Sequence, residues 1–283
     1  MRAFAGELFK TVRRPAVWVC ILGLMAAAVT IGYAIVWLAA TFSPTPKGLP
    51  AGVTLADLKI SLYPSNFVRY TLQQWDTLGG VFALIVGVLL QGSEYGWGTV
   101  KTLYTQHDGR LAMLFGKLGT MLVVVVVMVL GVFAVDAASS AAAGILDGKT
   151  LDFPAATEII KGIAALTLMY AFWSGFGFVL ATAFRQAAMA IGIGLAYALV
   201  IEGLIFGFGG SFLGDWVKKI QEWFPIANTG YLTAAFGRVN IRGLTTNATP
   251  YADATHAITV LLIYVVACVV ISAVLLRRRD VTN

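Results

Sequence analysis

Six long apolar stretches divide the chain, and shorter polar stretches separate them. A helix needs about 20 apolar residues to cross the hydrocarbon core of a bilayer. One stretch, 78–90, is short, so we extend it back to Trp75. The pattern predicts an all-α polytopic membrane protein, with 1–283 forming a single transmembrane domain of six helices. The predicted spans are 17–42, 75–91, 118–135, 162–184, 187–206 and 257–276.

The segment before the first span has the pattern of an amphipathic helix. At 100° per residue, Phe4, Leu8 and Phe9 fall on one arc, and the basic residues fall on the other. We predict an interfacial helix over 1–16 whose basic face meets lipid headgroups, with contact to a cytoplasmic partner as the alternative. The apolar run that follows is too long for a cleaved signal peptide, so we interpret it as a retained anchor.

Three segments between the spans contain further structural signals. The four prolines within 43–74 predict an irregular loop. Within 207–256, apolar residues recur every three or four positions up to Pro225, which predicts a short amphipathic helix that rests on a leaflet or covers a central path. Within 92–117, the spacing of Trp97, Val100, Leu103 and Tyr104 predicts a short helix parallel to the membrane. That helix either contacts a partner protein or simply lies in the interface.

Composition and charge agree with this pattern. Apolar residues make up 59% of the chain and charged residues 12%, against about 25% charged in ordinary soluble domains. With six spans, both termini lie on one side, together with 92–117 and 185–186. These segments hold 11 of the 20 lysines and arginines in about half as many residues as the opposite loops. The positive-inside rule therefore predicts cytoplasmic termini. The net charge of +6 suits anionic lipid better than nucleic acid.

The sequence contains no convincing catalytic or metal-binding motif. Residues 144–150 read G-x-x-x-G-K-T, but a phosphate loop has four residues between its glycines. The two cysteines and two histidines are far apart, which leaves little for a metal site. We therefore predict a chain that is not an enzyme and binds no metal or cofactor of its own.

Acidic residues in apolar segments are the remaining candidates for function. Glu202 lies toward the end of the fifth span, where a carboxylate must face a cavity, find a partner or be neutral. It could line a substrate path, or it could reach the headgroups. Nearby, Gly203 and Gly207 have the spacing of a helix-packing face. We expect Asp136 to close the third span and reach interfacial water.

The arrangement resembles the membrane subunit of a bacterial ABC-2-type ABC transporter. The first shared feature is the start, Glu7-Leu8-x-Lys10-x-x-Arg13-Arg14-Pro15-x-x-Trp18. The second is Glu94 followed by Gly98-Thr99 and a short helix after the second span. The third is the large outer loop between the fifth and sixth spans, with short helices and the element Trp223-Phe224-Pro225. The resemblance covers essentially the whole chain, although the proline that ends the loop helix in many members is absent.

This resemblance implies a transport mechanism and its partners. Such a permease pairs with a second permease subunit, identical or related, in the bacterial plasma membrane. Two ATP-binding subunits, which hold ATP and Mg, dock beneath, and the loop helix transmits their closure. The residues that would couple to the ATPase are Glu94, Trp97, Gly98, Thr99, Leu103 and Tyr104. In the family the second and fifth spans line the path, which makes Phe82, Tyr197, Glu202 and Phe206 the candidate path residues.

The coupling role of Glu94 also has a physical basis in its position. It stands where the second span leaves the bilayer, so its carboxylate could accept hydrogen bonds from the amides that open the loop helix.

Two other functions stay open. One is a secondary transporter or channel that uses Glu202 as its proton site, although we find no inverted repeat. The other is a membrane assembly protein without a transport role.

Overall fold

The computed structural model describes residues 2–42, 54–96, 110–206, 215–237 and 253–278. Every regular element in these ranges is a helix, and none is a strand. Six helices are long and apolar enough to cross a membrane, which confirms the predicted all-α polytopic architecture. The first to sixth spans are Pro15–Phe42, Leu78–Tyr95, Leu111–Leu146, Ala156–Phe184, Ala187–Phe206 and Ala254–Arg277.

Several span boundaries differ from the predicted ones. The third span was expected to end at Val135, but its helix covers Arg110–Leu146. Its last turns are rich in alanine, which favours a helix without adding much hydropathy. Trp75 does not begin the second span; it ends a separate helix, and the helix of the second span covers Leu78–Gly96.

Shorter helices lie before and between the spans. They are the entry helix Arg2–Val12, the Leu55 helix (Leu55–Leu62), the Phe67 helix (Phe67–Trp75), the Asp215 helix (Asp215–Gln221) and the Pro225 helix (Pro225–Ala234). The last two are the short helices predicted between the fifth and sixth spans. We call the bundle face that carries the entry helix the N-terminal face, and the opposite face the far face.

The prediction of an irregular loop over 43–74 is wrong for the residues described there. Thr54 caps the Leu55 helix in a capping box with Asp57, and Pro64 opens a 3-10 turn, Pro64–Asn66, that leads into the Phe67 helix. Proline therefore interrupts the chain between two helices and does not prevent either from forming.

The entry helix packs closely onto the bundle. A side chain at Gly116 or Gly119 of the third span would lie about 3.1 Å from atoms of Phe4, so the missing side chains let the helix approach. The helix is amphipathic, as predicted, but its polar side packs on the bundle: Glu7 is buried, whereas the apolar Phe9 is 58% exposed. Pro15 begins the first span, two residues before the predicted start at 17.

The second and fourth spans form the centre of the bundle. A methyl group at Gly87 would collide with the carbonyl oxygen of Ser174, and one at Gly177 with that of Leu84. Glycine at these two positions lets the helix backbones touch. By contrast, Gly203, expected on a packing face, has open space around it, while Gly207 lies outside the described residues.

Candidate functional site

A cluster of charged side chains lies at the N-terminal face, where the second and third spans meet the entry helix. Glu94, near the end of the second span, forms an ion pair with Lys117, near the start of the third. Its other carboxylate oxygen lies 3.2 Å from Nζ of Lys10 in the entry helix. Lys10 also pairs with Glu7 at 2.5 Å, and Lys117 donates to Oε1 of Gln91 at 2.9 Å. We call these five residues the Glu94 hub.

The hub is largely shielded from solvent within this chain. Glu94 is 2% exposed and Lys117 4% exposed. Two lysines balance two glutamates, so the cluster has no net formal charge. Buried charges persist only where such pairing and hydrogen bonding compensate the lost hydration. The cluster therefore fixes the geometry of three elements: the entry helix, the second span and the third span.

Arg14 makes a second connection at the same face. It lies between the entry helix and the first span, and its Nη1 donates to Oγ of Ser93 at 2.9 Å. The same nitrogen is 3.4 Å from the carbonyl oxygen of Leu89. The start of the first span is thus tied to the last turns of the second span, beside Glu94.

The structure shows the partners of one predicted coupling residue, Glu94. Glu94 was predicted to bind the amides that open the loop helix, and those amides lie outside the described residues. Among the described residues, the structure shows Glu94 paired with two lysines. The other coupling candidates, Trp97, Gly98, Thr99, Leu103 and Tyr104, lie outside the described residues. Sequence reasoning missed the roles of Lys10 and Lys117, although a lysine at the start of an apolar span is a signal that a partner is needed.

Glu202 occupies a different position, at the far face. Its Oε1 accepts a hydrogen bond from the amide of Ala227 at 2.8 Å, and its Oε2 accepts one from the amide of Ile226 at 3.2 Å. These are among the first amides of the Pro225 helix, which lack partners within that helix. Because it accepts from both amides, Glu202 caps the Pro225 helix from the neighbouring fifth span. It does so in a buried position, with 3% of the residue exposed.

The local backbone of the fifth span explains a third contact of Glu202. The hydroxyl of Tyr197 donates to its Oε2 at 2.8 Å. Residues five apart point in different directions on an α-helix, but Tyr197–Ile201 form a π-helical turn. That wider turn brings residues i and i+5 onto the same side. The π-helical turn thus places Tyr197 against Glu202.

The structure brings three of the four candidate path residues together. Phe206 packs edge-on against Phe224, with ring centroids 4.7 Å apart, beside the cap formed by Glu202 and Tyr197. Tyr197 also packs against Phe176 of the fourth span. Phe82 instead faces the first span, with a ring atom 3.5 Å from where a side chain of Gly23 would begin.

The prediction made from the sequence for Asp136 is wrong. It was expected to reach interfacial water, but it is 0% exposed, and the third span continues ten residues beyond it. Its Oδ2 accepts hydrogen bonds from Thr71 at 2.7 Å and from the indole of Trp75 at 3.1 Å. Both donors belong to the Phe67 helix. Asp136 therefore holds that helix against the bundle.

The stretch that imitates a phosphate loop has a different geometry. A phosphate loop precedes the N-terminus of a helix, whereas here the third span ends at Leu146. Gly148 has a positive φ of 63°, and the amide of Lys149 donates to the carbonyl of Gly144 at 2.8 Å. These contacts close the C-terminal end of a helix. Across the described ranges, no three His, Cys, Asp or Glu residues cluster as a metal site would require.

The six long apolar helices define a polytopic membrane protein, and every regular element of the described ranges is helical. Residues 66–282 match the sequence model of DUF2705, a family described as proteins of unknown function, and the chain belongs to that family. No curated protein matches the sequence. The match begins at residue 66, so the entry helix and the first span lie outside the matched residues.

Proposed function

We propose that the chain is the permease subunit of an ATP-driven ABC transporter, an exporter that forms the substrate path. Two separate ATP-binding subunits would bind ATP and Mg and supply the energy. A second permease subunit, identical or related, would complete the path. Membrane lipid would surround the assembly, and no nucleic acid takes part. This chain would bind no cofactor and catalyse no reaction itself.

The Glu94 hub is the observation that carries the proposal. Segment 97–109 joins the second and third spans, and its two ends lead into Glu94 and Lys117. A partner that displaces this segment would pull on both members of the buried pair. Because Lys10 also binds Glu94, the displacement would reach the entry helix. Packed ion pairs of this kind can switch between discrete arrangements, which is what coupling between distant sites requires.

The rival functions have less support. A gradient-driven transporter would need the carboxylate of Glu202 to exchange protons with a path. Both of its oxygens already accept hydrogen bonds, three in all, and these hold the Pro225 helix. A non-transporting assembly protein would need neither a charged cluster where the second and third spans adjoin segment 97–109 nor an ATPase partner.

Co-purification tests the proposal. Tagged chain extracted from its native membrane should carry ATP-binding subunits, identified by mass spectrometry. Leu103→Ala combined with Tyr104→Ala should weaken that association by about 1–4 kcal/mol, as expected for a pair of interface anchors. The matched control is Trp216→Ala with Ile220→Ala, which removes an exposed aromatic and an exposed aliphatic residue at the far face. Absence of any ATPase, or equal loss in both double variants, would refute the proposal.

We also propose that both termini lie in the cytoplasm of a bacterial cell. Orientation can be measured with single cysteines in a variant that lacks Cys20 and Cys268. Lys149→Cys, exposed at the far face, should react with an impermeant maleimide in intact cells. Arg185→Cys, exposed at the N-terminal face, should react only after permeabilisation. The reverse pattern would overturn the orientation.

A further inference from the structure

A cavity of about 750 Å³ opens at the far face, distant from the Glu94 hub. Four elements enclose it: the Phe67 helix, the start of the fourth span, the Pro225 helix and the start of the sixth span. Its volume is in the range of sites that hold small organic ligands, about 300–1,000 Å³. The cap formed by Glu202 fixes the Pro225 helix, and so supports one wall of this cavity.

The inner wall of the cavity is apolar and elongated. Ala165 and Leu168 of the fourth span face Leu232 and Phe236 of the Pro225 segment, and Ile258 closes the side. From Thr157 at the rim to Leu168, the wall follows the fourth span for about 16 Å at 1.5 Å per residue. An apolar wall of that length suits an extended alkyl chain better than a compact polar solute.

The rim of the cavity is charged and positive on balance. Arg69 and Lys161 both line it, together with Glu158. The guanidinium of Arg69 lies 3.6 Å from the carboxylate of Glu158, and its side chain stays 40% exposed. Lys161 is exposed and makes no ion pair with any described residue. The rim therefore offers two cations against one carboxylate, and an arginine fork is well suited to bind a phosphate or carboxylate group.

We propose that this cavity binds a single-chain anionic amphiphile, with its alkyl chain along the apolar wall and its headgroup between Arg69 and Lys161. The exposed positions along the fourth and sixth spans, Ala164 and Ile258, leave a side open to the adjoining leaflet. The amphiphile would enter from there without crossing water. Its role as transported substrate rests on the proposed function, whereas its binding does not.

Binding can be measured on the purified chain without any ATPase, in nanodiscs of neutral phosphatidylcholine. The probe is dodecyl phosphate with a photoreactive diazirine at the chain end. Crosslinks should map to the wall around Leu168 and Leu232. Crosslinks confined to the lipid-exposed faces of the first and fifth spans would overturn the proposal.

Three variants test the roles of the rim charge and of the entrance for the alkyl chain. Lys161→Met should weaken probe binding about tenfold, the lower end for hydrogen bonds to a charged group. Lys149→Met, which removes an exposed far-face lysine outside the cavity, should leave it unchanged. Ala164→Phe should reduce binding by narrowing the entrance without touching the core.

Competition identifies the ligand class. Unlabelled dodecyl phosphate should displace the probe, while inorganic phosphate and dodecyltrimethylammonium should not. Displacement by inorganic phosphate would show a simple anion site, and equal displacement by the cationic amphiphile would show an unselective apolar groove. Either result overturns the proposal. Failure to co-purify an ATPase would refute the transporter function while leaving the binding result intact.

Discussion

Removing one charge from the Glu94–Lys117 pair should destabilise the protein strongly. Lys117→Met leaves a carboxylate that is 2% exposed, with Lys10 as its ion-pair partner among the described residues. Breaking a buried pair by removing one partner costs about 3–5 kcal/mol. Lys10 is 35% exposed at its side chain and compensates only part of the loss, so we expect about 3 kcal/mol. Glu94→Gln, which leaves the buried lysine with neutral partners, should cost a similar amount.

The double variant makes the prediction sharper. Replacing both charges, with Glu94→Gln and Lys117→Met together, leaves no unpaired buried charge in the pair. Residues in direct contact couple by up to about 3 kcal/mol, and we expect about 2–3 kcal/mol here. The double variant should therefore cost about 3–4 kcal/mol, well below the sum of about 6 kcal/mol for the two single variants.

Equilibrium unfolding in mixed micelles, followed by tryptophan fluorescence, measures these free energies. Glu222→Gln is the matched control, because this glutamate lies at the far face, away from the hub. It should change the free energy of unfolding by less than about 0.5 kcal/mol. Additive single-variant costs, which would place the double variant about 6 kcal/mol below the parent, would refute the assignment of a coupled buried pair.

Three further predictions concern the far face and the centre of the bundle. Glu202→Leu should lower the free energy of unfolding by about 2 kcal/mol, because two backbone amides lose their acceptor. Glu202→Gln should retain part of that stability. Full stability of the leucine variant would exclude the cap. Gly177→Ala should lower the free energy of unfolding by about 3 kcal/mol, because the added methyl would collide with the carbonyl oxygen of Leu84, while Gly203→Ala should be tolerated. The same equilibrium unfolding measurement on both variants checks this difference. Burial raises the pKa of the Asp147 carboxyl, but hydrogen bonds from a lysine and a tyrosine outweigh burial and lower that pKa below 3.8. The difference in stability between the parent and Asp147→Asn should therefore be largest above about pH 5 and should vanish as the pH falls through the lowered pKa. A difference that does not change with pH would contradict this.

The sequence by itself determined the spans and the entry helix. Hydropathy is a local property that the bilayer imposes on each segment, so about 20 apolar residues are enough to indicate a crossing helix. The amphipathic arc of the entry helix and the break at Pro15 are likewise local. The same reasoning failed at the end of the third span and over 54–75, where helix propensity and packing continue the helices through residues of lower hydropathy.

Only the tertiary structure decided which polar groups meet. Glu94 and Lys10 are 84 residues apart, and Asp136 and Thr71 are 65 apart. The sequence marks such groups as costly in an apolar setting but contains no local signal for the partner that compensates them. Glu202 illustrates both limits: its need for a partner was evident, but a π-helical turn and the start of a separate helix supply that partner. Pairing at this distance depends on how whole helices pack, because the free energy of a buried charge is set by its neighbours in space and not by those along the chain.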